Sequence, residues 1–319
     1  MKKAFITIAI VLLILGSAIF FAALASAKFD FRNLQTSMLQ TKTYPVAGDF
    51  QNIQIDEDTA DIIFALSADG TCSVVCRESE KTTRTVTVED GTLKIVSKKQ
   101  TGWNNLFNLS FEEESVTVNL PKDAYEALAI ETHTGDVEIP QDLRFNSIAI
   151  TGSTGDVRCG ASAADLIAIR VDTGDVLLDG VSANAIESTV TTGEIRMQSV
   201  TCSSYVSIGV STGRTILENL DCRELRSEGS TGDIRLSGVT AETFLIERST
   251  GDVTLDNCDA GEIRIETSTG DVTGSLRTGK TFVTKSSTGD VNVPESVAGG
   301  RCEITTWTGD IRIRIADGK

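Results

Sequence analysis

The dipeptide Thr-Gly forms a regular series of ten copies, with its glycine at Gly135, Gly155, Gly174, Gly193, Gly213, Gly232, Gly251, Gly270, Gly289 and Gly309. The intervals are all 19 or 20 residues. A chain that repeats itself at this length must build one small unit per copy and stack the copies. The residue two after the glycine is apolar in nine of ten copies, for example Val137, Val176, Ile234 and Ile311, with Thr215 the exception. Two further on come Ile139, Cys159, Leu178 and Leu255, and polar residues such as Arg158, Arg196, Arg235 and Arg312 lie between the two apolar rows. Alternation of this kind marks a short strand with one buried face. A second pair, such as Ile167/Ile169 or Ile263/Ile265, adds another strand to each copy. One copy cannot bury its own apolar face, whereas stacked copies share a core. The period therefore predicts an all-β, single-stranded β-solenoid over residues 131–319, about 48 Å long at about 4.8 Å per coil.

Residues 44–130 carry the same chemistry less regularly. Segments 53–55, 72–76, 84–88, 93–96 and 115–121 read as strands, with Asp90-Gly91 as a turn between two of them. They are expected to cap one end of the rod as irregular coils or hairpins. Before them, Lys2 and Lys3 precede 24 uncharged residues, Ala4 to Ala27. As a helix that stretch spans about 36 Å, enough for a hydrocarbon core of roughly 30 Å. Residues 1–27 are expected to form a transmembrane signal anchor, with the basic pair inside and the C-terminal domain extracellular. Ala25-Ser26-Ala27 also has the form of a cleavage site, but the apolar run exceeds a signal peptide's usual length. Residues 28–43, polar and without pattern, read as a juxtamembrane linker.

With 29 basic and 45 acidic residues the net charge is −16, which argues against nucleic acid as a partner. The single histidine, His133, makes histidine metal sites and a Ser-His-Asp triad improbable, and a polar turn role suits it. Coils of 19 or 20 residues leave no long loops from which to build a catalytic cleft, so no enzyme and no cofactor is expected. Seven cysteines, an odd number, leave at least one unpaired. Cys159, Cys258 and Cys302 fall on core positions and Cys202 and Cys222 share a phase in successive coils, where a bridge is sterically marginal. Cys72 and Cys76, on one strand face, are too far apart to bond.

The position after the corner glycine holds Asp or Glu in nine copies and Arg214 in the other. Stacked in register, neighbouring carboxylates about 5 Å apart repel by roughly 0.9 kcal/mol in water and about 3.5 kcal/mol at an effective dielectric of 20. The favoured resolution makes each Asp a turn cap bonded to the next coil. The rival is a calcium ladder through Asp233, Asp252, Asp271, Asp290 and Asp310. Calcium wants six to eight oxygens, and Arg214 interrupts the row, which disfavours the rival.

One loop, residues 98–115, breaks the pattern. It carries Trp103, Phe107 and Phe111, which either fold over the open core or anchor a partner. At the other end, Arg312, Arg314 and Lys319 are placed to shield the last strand edge by charge, with pairing to another rod as the alternative.

The order V-x-V-x-LP, I-x-T-x-TGDVEI and then repeated STGDV, from Tyr44 to about Ile315, resembles a bacterial β-strand-repeat family of unknown function whose members are called adhesins. The resemblance implies the solenoid and a surface location, and brings no catalytic residues with it. The expected function is non-catalytic binding at the cell surface, to envelope polymer, host matrix or another surface protein. The alternative is an envelope-stress accessory or sensor that acts through a membrane partner, and the oligomeric state stays open.

Overall fold

The computed structural model describes residues 2–26, 39–79, 82–99, 114–295 and 298–316. Apart from one helix, α1 (Lys2–Ser26), they form 25 strands of a single sheet wound into about nine solenoid turns. Residues 162–179 show why the repeat winds. The long strand Ser162–Thr173 turns Ile167, Ile169 and Val171 inward, Thr173-Gly174-Asp175 makes a corner, and Val176–Asp179 buries Val176 and Leu178. Between the two ends of the rod, each strand pairs in parallel with its equivalents in the coils on either side, as Ile169 does with Ile150 and Ser188. The core is thus a set of residue rows running along the axis, nearly all apolar and buried.

The corner is what holds the stack in register. Gly174 has φ +146°, and a Cβ there would lie 2.0 Å from the Gly155 carbonyl oxygen of the coil below. Only glycine fits, for conformation and for space. The Gly174 N–H donates to the Thr192 carbonyl of the next coil at 3.0 Å, and the Val176 N–H to the Glu194 carbonyl at 2.8 Å. The amide between them points the other way, and the carboxylate of the preceding corner accepts it. Asp175 N–H donates to Asp156 Oδ1 (2.9 Å), Asp156 to Asp136 (2.8 Å), Asp252 to Asp233 (2.9 Å) and Asp271 to Asp252 (2.8 Å). The turn-cap reading of the aspartates is what the chain adopts. Arg214 interrupts the run as expected, and its guanidinium pairs with Glu194 at 2.9 Å.

At the last two coils, stacking order and sequence order part. With β20 (Val253–Thr269) and β21 (Val272–Leu276) ending one coil, the chain runs on through β22 (Lys280–Thr288) and β23 (Val291–Asn292). It then doubles back through β24 (Gly300–Thr308) and β25 (Ile311–Ile315). β24 pairs with both β20 and β22, and β25 with both β21 and β23. Accordingly Asp310 N–H donates to Asp271 Oδ1 and Asp290 N–H to Asp310 Oδ1, both at 2.7 Å. Shielding of the last edge by Arg312 and Arg314 is therefore corrected. Their strand is interior, and the outermost strands are β22 and β23.

The other end is closed by reversal of strand direction. β2 (Asn52–Glu57) and β3 (Ala60–Leu66) form a coil in register with β8 (Ala124–Thr134) and β9 (Val137–Ile139), pairing Ile55 with Ile130 and Ile62 with Val137. Beyond it lie β6 (Thr92–Lys99) and β7 (Glu114–Leu120), parallel to β2 and β3. β5 (Thr82–Glu89) runs antiparallel to β6 across the Asp90-Gly91 turn, and β4 (Ser73–Ser79) antiparallel to β7. β1 (Leu39–Pro45) adds to β4, so the expected linker is already strand from Leu39 onward. Its side chains alternate too weakly to show this, because the strand is held by backbone pairing at a sheet edge.

A buried ion network ties these strands together. Arg84, 3% exposed, donates from Nε and Nη2 to Glu57, from Nη1 to Glu78 and from Nη2 to Glu114, at 2.8–3.2 Å. Lys42 reaches the other Glu78 oxygen at 2.5 Å. Burial alone would raise the Glu114 carboxyl, but the hydrogen bond and charge of Arg84 outweigh it and hold the group below its usual range.

In α1, the side chains of Ile10 to Phe21, among them Leu12, Leu13, Ile14 and Phe20, are exposed. Among the described residues, no helix is long and apolar enough to cross a membrane, so the expected crossing is not shown by the structure. All seven cysteines are free, including Cys202 and Cys222, which sit in register on adjacent coils. Burial pushes the Cys159, Cys222 and Cys302 thiols up to about 12, which keeps them unreactive.

Four variants test this account. Asp252→Ala removes the acceptor for the Asp271 amide and should cost about 1 kcal/mol, with Asp252→Asn close to wild type. Gly251→Ala, strained at φ +145° and 2.1 Å from a backbone oxygen, should cost about 3 kcal/mol. Hydrogen exchange should place both losses in the neighbouring coils, since a solenoid's stability is local. Arg84→Met takes the shared cation from three carboxylates, leaving only Glu78 with a lysine partner, and should cost about 3–5 kcal/mol, measured by denaturant unfolding. Glu114 has a depressed folded pKa, so its stabilisation is complete above the unfolded carboxylate range, about 4.3. It is lost as pH falls through the folded value, and acid should loosen the β1–β7 cap.

Candidate binding groove

Each long strand presents two outward rows near the corner. One holds the residue just before the corner threonine, and the other the residue two places earlier. Over most of the rod the first row is small and polar: Ser153, Ser211, Ser230, Ser249, Ser268 and Ser287, with His133 exposed in the same phase. Trp307 alone breaks it with an aromatic ring. Trp307 is 67% exposed.

A groove of about 500 Å³ runs between the two rows, parallel to the rod axis. One wall is Thr189, Gly209, Glu228, Glu247, Glu266 and Thr305, from six successive coils in register. The other wall is Ser211, Ser230, Ser249 and Ser268, with Trp307 at the end. At about 4.8 Å per coil the groove extends for roughly 24 Å. Gly209, lacking a side chain, leaves one end of the acidic wall low. Glu266 pairs with Arg264 at 2.9 Å, while Glu228 and Glu247 make no ion pair among the described residues.

The groove also touches an unusual piece of core. Arg248, 5% exposed, turns inward in the row that elsewhere holds Val171, Val190 and Val210. Its Nη2 donates to Thr215 Oγ1 at 3.0 Å and to Ser227 Oγ at 2.9 Å, and its Nε has no acceptor among the described residues. Gly229 makes the room, because a Cβ there would lie 1.5 Å from Arg248 Nη1. Burial lowers the guanidinium to about 10, with Asp233 pulling the other way, so it stays charged at neutral pH. Gly229→Ala should destabilise the chain by about 1–3 kcal/mol, and by less in an Arg248→Ala background, as a double-mutant unfolding cycle would show.

Of the sequence-predicted residues, Asp233, Asp252, Asp271, Asp290 and Asp310 do gather on one corner. Each Oδ1 in that line that faces a following coil is given to a backbone amide. Among the described residues, no group of three or more His, Cys, Asp or Glu side chains is arranged to hold a metal ion. Trp103, Phe107 and Phe111 lie outside the described residues. The sequence reading missed Trp307, although aligning the residues before each corner threonine exposes it as the only aromatic among small and polar neighbours.

Solved structures that resemble the fold include a putative adhesin from Bacteroides fragilis NCTC 9343, with 16% identity, 86% of this chain and 97% of that one covered, and TM-score 0.42. Another is a putative lipid binding protein from Parabacteroides distasonis ATCC 8503, with 16% identity, 88% and 98% coverage, and TM-score 0.47. A third is a putative adhesin from Parabacteroides merdae ATCC 43184, with 13% identity, 88% and 98% coverage, and TM-score 0.46. No curated protein sequence matches the chain. The family model described as Toastrack DUF4097 matches residues 50–213 and 203–319, which together span nearly all of the solenoid and its cap. The chain belongs to the Toastrack DUF4097 family.

Proposed function

We propose that the protein is a non-catalytic, adhesin-like binder at the cell surface that holds an extended polymer in the groove beside Trp307. The observation that carries this is an exposed tryptophan at the end of a straight polar channel crossing six coils. Aromatic anchors in grooves dominate binding energies, and a large exposed ring on an otherwise small polar row has no packing role. The axial run of the channel suits a chain-like ligand, of envelope or host matrix, better than a compact metabolite. In this reading α1 is a membrane anchor. Its uncharged run from Ala4 to Ala27 and the exposed apolar side chains from Ile10 to Phe21 support that, with the rod facing outward.

The full-length chain in detergent should bind saturably to one class in a panel of peptidoglycan, teichoic acids, matrix proteins and glycans. Trp307→Ala should weaken that binding at least about tenfold. Unchanged binding by the Trp307 variant, with loss on replacing Trp103, Phe107 and Phe111, would shift the function to the 98–115 loop and a membrane partner. Loss of binding with a chelator would restore the calcium ladder.

A further inference from the structure

We infer that the groove takes a linear glycan carrying free amino groups, an amino-sugar polymer laid along the rod axis; this rests on the surface-binding reading above and names its ligand class. Three features converge on it. The first is repeat length. Across the coils of Ser230, Ser249 and Ser268 the groove offers one serine hydroxyl and one glutamate per coil, at steps of about 4.8 Å. A chain of β-1,4-linked pyranose rings advances by nearly that distance per sugar with alternate rings turned over, so every second ring meets equivalent groups on every second coil. An extended peptide presents like side chains about every 6.7 Å and falls out of step within two coils.

The second feature is Trp307. A flat ring with two thirds of its surface free suits the apolar face of a sugar, and it stands where the serine row ends, next to Ser268.

The third is charge. Glu228 and Glu247 are exposed, adjacent in register and free of ion pairs among the described residues. Hydroxyls of a neutral glycan can donate to them but leave their charge unmatched, and an anionic polymer would be repelled. An ammonium group, which recurs on this side at every second sugar, would lie against the pair. The chain's net charge of −16 favours approach of a cationic polymer in the same sense. Arg248 does not oppose this, because its guanidinium faces inward to Thr215 and Ser227.

The test is calorimetric titration of the full-length chain in detergent with a β-1,4-linked glucosamine pentamer, its fully N-acetylated form and a lysine-rich decapeptide. The amine pentamer should bind at least about tenfold more tightly than the N-acetylated one at low salt, and the gap should shrink as salt screens it. Glu228→Gln with Glu247→Gln should erase the gap, and Trp307→Ala should weaken both sugars. All three residues are exposed, and a thermal melt confirms that the variants fold. Equal or tighter binding of the N-acetylated pentamer overturns the amino-sugar assignment and leaves the surface-binding reading standing. Tighter binding of the decapeptide overturns it in favour of a basic peptide. If neither pentamer binds while the polymer panel does, the assignment also falls. Failure of the whole panel is what removes the underlying reading.

Discussion

The structure depends on one backbone amide per coil. At each corner the glycine and the following apolar residue give their N–H groups to the next coil, and the amide between them turns back toward the coil before. A buried or half-buried amide must be paired. The carboxylate of the preceding corner supplies the acceptor in two runs, Asp61 to Glu194 and Asp233 to Asp290, that part at Arg214. Repulsion along the carboxylate row is offset because each Oδ1 meets an N–H, and because arginines from the adjoining strand stand beside the row, Arg158 near Asp136 and Asp156 and Arg196 beside Glu194. Tight corners then need no loops, coil length stays fixed, and the outer rows run straight enough to form a continuous groove.

That logic was legible in the sequence wherever it repeats. The Thr-Gly period, the inward rows and the capping aspartates all recur, so each copy confirms the others. What stayed hidden occurs once. The ladder begins not at Asp136 but at Asp61, which accepts the Asp136 amide at 2.9 Å. The corner there is Thr59-Ala60-Asp61, without the marker glycine. It stands 75 residues from its partner in sequence, because β4 to β7 intervene. Ala60 suffices as the first corner of the line, whereas Gly135 must accommodate the Ala60 carbonyl, which a Cβ would meet at 2.3 Å. Arg84 and its three glutamates were equally silent, since they come from four strands whose pairing no local pattern reveals.

Departures from the repeat were visible as departures but not as a set. Thr215 is the single polar residue in its apolar row, Ser227 stands where Ile208 and Ile246 flank it, and Gly229 follows Val210 in a valine row. Each looks like a lost core contact. Together they form the space and the acceptors for one buried guanidinium. A parallel stack permits this, because residues 19 or 20 apart become neighbours, so three weak positions in two coils can serve one side chain of the next.

The same geometry decides where Trp307 stands. Had the coils stacked in sequence order, Ser287 would lie between Ser268 and Trp307, and Lys285 between Glu266 and Thr305. A lysine would then sit at the end of the acidic wall, and the tryptophan would be one coil beyond the groove. Because β24 enters between β20 and β22, Thr305 follows Glu266 directly and Trp307 comes next to Ser268. Lys285 is moved to the outermost coil, where a charge on an edge strand discourages further pairing. The inversion therefore does two things at once. It leaves a protected edge at the end of the rod, and it brings the one exposed aromatic of the rows into line with Glu228 and Glu247, which make no ion pair among the described residues. A repeat protein built from near-identical coils has few ways to make one stretch of its surface unlike the rest, and changing the order of the last two coils is one that costs no new sequence motif.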